Sequence, residues 1–123
     1  MKSFFEKNGD YFYFAFRVIA GLLFFLHGWM KVSAIIGGNM PAFGLMGLAA
    51  LIETLGGIFI IIGLFTRYTA IISAIEMIFA YFMAHAPNGW NPLANNGEPA
   101  ALFFAVFLVL MAFGARKWAF DRR

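Results

Sequence analysis

Cysteine is absent from this 123-residue chain. Disulfide generation, thiolate nucleophilic catalysis, iron–sulfur ligation and persulfide transfer are thereby excluded, because each needs a sulfhydryl. Charge is nearly as scarce. Only 12% of residues are charged against 63% hydrophobic, and the mean hydropathy is +0.81, so there is too little polar surface to coat a water-soluble globule. Low-complexity tracts, detectable repeats and room for a soluble domain are missing too. Nothing carries a binding motif for flavin, haem or an iron–sulfur centre. The net charge of +3 comes without a nucleic-acid fold signature, so membrane lipid and not nucleic acid is the expected contact of the basic residues.

What is present is a set of apolar runs. Crossing a hydrocarbon core takes about 20 apolar residues, and such runs lie at residues 11–32, 45–65, 68–86 and 99–114. With no water in the bilayer to satisfy backbone groups, each must be a helix, and short connections make neighbours antiparallel. The fold class expected is all-α, an integral membrane four-helix bundle forming one domain over residues 1–123. The N-terminal apolar segment is of span length, contains Arg17 and lacks a small-x-small cleavage site, so it reads as the first span and not as a removable signal. Lys2, Lys7, Arg67, Arg116, Lys117, Arg122 and Arg123 flank one side of the spans, against Lys31 alone on the other. Cytoplasmic loops hold the basic excess, which predicts a multi-pass cell-membrane protein with both termini cytoplasmic.

Ionisable groups in or beside the spans stand out because a charge at mid-bilayer costs about 2.5 to 3.5 kcal/mol on insertion scales. At 1.5 Å per residue, Glu76 lies about 13 Å from the turn at Arg67, Glu53 about 12 Å from Leu45, and Arg17 about 9 Å into its span. The two acids are thus near mid-membrane, and an ion pair of Arg17 with Glu53 or Glu76 is expected. Helical spacing gathers Arg17, Gly21, Phe24, Gly28 and Lys31 on one stripe, Glu53, Gly56, Gly57 and Ile60 on a second, and Thr69, Ser73, Glu76, Ala80 and Met83 on a third. These stripes are the expected interior, with glycines permitting close backbone approach. A neutralised pair that merely fixes helix register explains Arg17 and Glu53 as well as a ligand does. Glu76 is the acid such a pair leaves over, and on a regular helix it faces away from His85.

The outer face gathers His27, Trp29, Lys31, His85, Asn88, Trp90, Asn95, Asn96 and Glu98. Trp29 and Trp90 suit interfacial anchoring, although Trp90 also counts among the candidate ligand contacts, and Lys31 suits snorkelling to headgroups. The two histidines can hydrogen-bond a carbonyl or relay protons. A metal is not expected, for they lack a ligand spacing motif. The seven methionines are read as packing residues.

The segments "HGWMK", "ETLGGIFIIIGLFTRYTA", "EMIFAYFMAH", "NNGE" and "GARKWAFD", in this order and spacing, resemble the DoxX family of small four-helix membrane proteins over nearly the whole chain. The family pattern falls on Arg17, His27, Gly28, Lys31, Glu53, Gly56, Gly57, Thr66, Arg67, His85, Asn96, Gly97 and Glu98. Ala115 departs from it where a second glycine is common, a change expected to affect a turn and not the chemistry. The resemblance implies a membrane subunit of an oxidoreductase system, since the family is named for a subunit of a thiosulfate:quinone oxidoreductase. It frames the site as a cavity open to the outer face that binds quinone through Arg17, His27, Lys31, Glu53, His85, Trp90, Asn96 and Glu98. Glu76, His27 and His85 would be catalytic. Electrons would come from a partner protein. A non-catalytic scaffold or assembly partner for a soluble redox protein stays open, as does a small-solute carrier, which four short spans could build only as a homo-oligomer.

Overall fold

The structure, a computed structural model, describes residues 3–121; Lys2, Arg122 and Arg123, three of the basic residues that favour cytoplasmic termini, lie outside the described residues. All regular structure among the described residues is helical: a single turn α1 (Phe4–Lys7), then α2 (Gly9–Ile36), α3 (Leu45–Ile62), α4 (Thr66–Ala80) and α5 (Glu98–Phe113). A π-helical turn, Tyr81–His85, and a 3-10 turn, Ala86–Asn88, extend α4. Three of these helical stretches are long and apolar enough to span a membrane, and the 16-residue α5 is apolar but shorter. Its rise of about 24 Å falls a little short of a hydrocarbon core, whereas α2 at about 42 Å overruns it and must tilt or protrude.

The glycine stripes decide which helices touch. α2 packs most extensively on α3, and α4 on α5, while α2 and α5 touch sparsely. A Cβ on Gly28 would stand 2.4 Å from the Thr54 amide nitrogen, and one on Gly57 2.5 Å from that of Phe25. No larger residue fits there without parting the helices. Arg17, Gly21, Phe24 and Gly28 of the first stripe, all of the second, and Thr69 and Ser73 of the third are buried as expected. Met83 is exposed, because beyond Ala80 the π turn carries it to the rim of a cavity. An aromatic cluster of Phe24, Phe103 and Phe107 fills the centre, with Phe24 and Phe107 rings 4.8 Å apart.

The start of α2 and the segment after α5 meet at one end of the bundle, hereafter the terminal end. Asp10 near the start of α2 pairs with Arg116 and Lys117 at 3.4 and 3.2 Å. The segment after α5 folds back beneath the bundle and donates from the Phe120 and Asp121 amides to the carbonyls of Ile62 and Gly63. The α3–α4 turn is left-handed at Gly63 and Phe65. The Asp121 carboxylate caps α4, accepting from the amides of Phe65 at 2.6 Å and Thr66 at 2.9 Å, two donors a helix start leaves unpaired. The opposite, loop end carries the α2–α3 connection and residues 89–97.

Candidate functional site

Arg17 corrects the expected ion pair. The side chain is fully buried, and both terminal nitrogens turn toward the terminal end: Nη1 donates to the carbonyls of Ala115 (2.6 Å) and Lys117 (3.0 Å), Nη2 to those of Trp118 (2.6 Å) and Ile61 (3.3 Å). Tyr13 adds a bond to the Gly114 carbonyl at 2.5 Å, and Arg67 closes the α5 terminus on the carbonyls of Met111 and Ala112. The physical reason is supply and demand. The irregular segment after α5 exposes a row of carbonyls with no helical donor, and a planar guanidinium is the one side chain offering five donors in a fork. Arg17 is therefore committed to backbone and does not line the cavity with Glu53.

Glu53 finds its cation elsewhere. Lys31 does not snorkel to the headgroups; its Nζ donates to Glu53 Oε1 at 2.8 Å, with the Glu53 side chain 4% exposed and that of Lys31 23%. An acid so desolvated attracts the ammonium more strongly than the headgroup region does. The carboxyl of Glu76 sits beside that of Glu53 and within the field of Lys31, and its Oε1 is buried without a hydrogen-bond partner. One ammonium thus serves two carboxyl groups, so the cluster is neutral only when one of them holds a proton.

These three side chains line a cavity of about 770 Å³ between the α2–α3 and α4–α5 pairs, walled otherwise by apolar residues such as Phe24, Ile52, Met77 and Phe103, with His27, His85 and Asn96 at its loop end. The π turn accounts for His85. Nine residues of regular α-helix would set it about 180° from Glu76. The bond from the Ala86 amide to the Tyr81 carbonyl closes a wider turn that rotates less per residue, and both side chains reach one cavity. His85 Nδ1 lies 3.2 Å from the Asn95 carbonyl. A carbonyl only accepts, so Nδ1 carries the hydrogen of this bond, and the tautomer it selects leaves Nε2 as the acceptor. His27 stacks edge-on against Phe103 at 5.2 Å.

Of the other candidates, Asn96 lines the cavity, and Glu98, the first residue of α5, lines a neighbouring groove. Trp90 lines neither space. It is exposed, packs edge-on against Phe82 at 5.8 Å, and its carbonyl accepts from the Tyr81 hydroxyl. Asn95 has a role that spacing alone did not assign. Buried at 2% exposure, it donates to the Gly89 carbonyl (2.8 Å) and the Tyr81 hydroxyl (3.2 Å) and accepts from the Gly97 amide (2.8 Å). The last bond is the two-residue Asn turn that the "NNG" string encodes. Asn95 thereby pins the loop whose carbonyl orients His85.

The family model described as DoxX matches residues 12–86. A protein of Haemophilus influenzae, described as "Uncharacterized protein", is 38% identical over 127 residues, spanning 96% of this chain and 94% of that one. "Putative oxidoreductase CatD" of Bacillus subtilis is 31% identical over 112 residues, spanning 85% and 81%. No solved structure matches this chain.

Proposed function

From the premise that this chain belongs to the DoxX family of multi-pass membrane proteins, we propose that its cavity receives the ring of a quinone and that the protein is the membrane subunit of an oxidoreductase system. The observation that carries this reading is unspent hydrogen-bonding capacity in an apolar chamber. Lys31 spends one of its three donors on Glu53. Glu76 Oε1 has no partner. A quinone ring needs an apolar, aromatic slot, which Phe24 and Phe103 offer, and each ring carbonyl needs a donor. Lys31 and His27 suit that task, whereas His85, with Nδ1 committed to Asn95, suits proton acceptance through Nε2.

Reducing a quinone to the hydroquinone takes two electrons and one proton on each oxygen. The shared proton of the Glu53–Glu76 cluster supplies one at the buried end, and His85 passes the other from the loop end. The oxidoreductase reading is supported by the similarity to a relative named "Putative oxidoreductase CatD", and because the chain carries no motif for a redox cofactor of its own, the electrons in this reading come from a partner redox protein. The basic residues at the terminal end support an arrangement in the cell membrane with both termini cytoplasmic and the cavity mouth at the outer face.

Binding is tested by titrating a quinone analogue into detergent-solubilised parent, His27→Ala and His85→Ala. Loss of one hydrogen bond costs about 0.5 to 1.5 kcal/mol, so His27→Ala weakens binding up to about tenfold while the protein stays folded. His85→Ala weakens it less and slows reduction in the assembled complex. A parent that binds no quinone, or binds it identically in both variants, favours the scaffold reading instead.

A further inference from the structure

A second space adjoins the cavity. It is a groove of about 930 Å³ between α2 and α5, walled by Phe16, Ile19, Leu23, Leu102 and Val106. It opens where the bundle is least closed, since α2 and α5 are the sparsely touching pair. His27, Asn96, Pro99 and Phe103 line both spaces. The two spaces therefore lie back to back across a shared wall, with the edge-on pair of His27 and Phe103 at the division. Polarity is distributed unevenly along it. The ammonium and both carboxyl groups lie in the cavity, and the groove away from His27 and the residues 96–98 rim is apolar.

Resting on the cavity reading above, we infer that the natural ligand is an amphiphile, a polar ring joined to a long apolar tail, and that it enters sideways from the bilayer. Its ring lies in the cavity and its tail occupies the α2–α5 groove. A compact water-soluble quinone would leave the groove without a purpose, and a two-chain phospholipid would have no ring to set against Lys31 and His27. The groove runs along α2 from His27 to Phe16, about 16 Å at the helical rise, which accommodates a decyl-length chain. The tail gains little by exchanging lipid for an equally apolar wall. Its function is to register the ring beside the His27–Phe103 division, so that a tail denied the groove pulls the ring off its hydrogen-bond partners and the loss is read as ring affinity.

The test compares the same two ligands across variants, so that partitioning into micelles cancels: a quinone with a decyl side chain, and a quinone with none. Leu102→Trp fills the groove from a lipid-exposed position, and Leu108→Trp adds the same bulk on an exposed position that lines neither space. The expected result is at least a tenfold loss of affinity for the decyl quinone in Leu102→Trp, with the tail-less quinone unchanged and Leu108→Trp equal to parent for both. A decyl analogue carrying a photoreactive group at the tail end should label α2 or α5 within the groove in the unaltered protein, a readout independent of how the variants fold. Equal behaviour of the two quinones in Leu102→Trp, or labelling confined to α3 and α4, overturns the amphiphile and leaves the cavity reading standing. Failure of both quinones to bind the parent overturns the cavity reading and this inference together.

Discussion

The two ends of the bundle treat polar groups in opposite ways. At the terminal end Arg17, Tyr13, Arg67 and Asp121 all spend their hydrogen bonds on backbone carbonyls and amides. Arg17 Nε and Thr66 Oγ1 are buried there without a partner, but neither residue lines the cavity or the groove beside it, and the effect of the bonds made is to tie the α3–α4 turn and the segment after α5 into one knot. Toward the loop end Lys31, Glu53, Glu76, His27 and His85 surround empty volume with bonds to spare. Both sets hold ionisable side chains in or beside the spans, and composition does not separate them. What separates them is whether the neighbouring backbone already needs their donors and acceptors. A charged residue in a membrane span is thus a site candidate only after the local backbone has been satisfied.

Removing the knot's central donor should break this contrast most visibly. Arg17→Met strands four carbonyls and is expected to destabilise the fold by about 3 to 5 kcal/mol in detergent melts, with quinone affinity of the surviving folded fraction unchanged. A melt like the parent's would mean the knot holds nothing together. Next is the interhelical contact that both ends depend on. Gly28→Val must part α2 from α3, because its Cβ has only 2.4 Å to the Thr54 nitrogen, and a loss of about 1 to 3 kcal/mol is expected.

Glu53→Gln leaves the Lys31 ammonium without its carboxylate. Since Lys31 is partly open to the cavity, the expected loss is about 1 to 2 kcal/mol, less than for Arg17, and Lys31→Met combined with Glu53→Gln should recover part of it. No recovery in the double variant would show that the pair is not an isolated unit. Asp121→Ala removes two cap bonds of α4 and should cost about 0.5 to 2 kcal/mol with no effect on ligand. The smallest effect on stability belongs to Glu76→Gln. An amide occupies the same space and leaves the Lys31–Glu53 pair in place, so melting should shift less than in any variant above, while quinone reduction with the native partner slows. A large stability loss in Glu76→Gln would move Glu76 from the open set to the closed one.

Much of this architecture was legible from apolar run length. The spans expected at 11–32, 45–65, 68–86 and 99–114 fall on α2, α3, α4 with its π turn, and α5, with ends displaced by a few residues. The glycine-bearing stripes of α2 and α3 were legible for the same reason, since helical period alone decides which residues share a face. The partner of Arg17 was not. One base and one acid on facing stripes suggested a pair, yet α2 and α3 run antiparallel, and Arg17 lies toward the terminal end while Glu53 lies toward the loop end. Side-chain bookkeeping misses backbone carbonyls as acceptors because every residue has one, so they leave no trace in composition. The convergence of His85 and Glu76 was hidden likewise, for a single π turn changes the angular step without a dedicated residue code.

Run length and periodicity determined by themselves that this chain is a membrane bundle, because a bilayer leaves the backbone only the helix and prices each charge by depth. The same arithmetic placed Glu53 and Glu76 near mid-membrane. Only the tertiary structure decided which of the buried charges are used up and which are free. That depends on hydrogen-bond directions and on the rotation of one helix against another, quantities fixed when the carbonyls after α5 fold back onto Arg17 and the π turn swings His85 into the cavity.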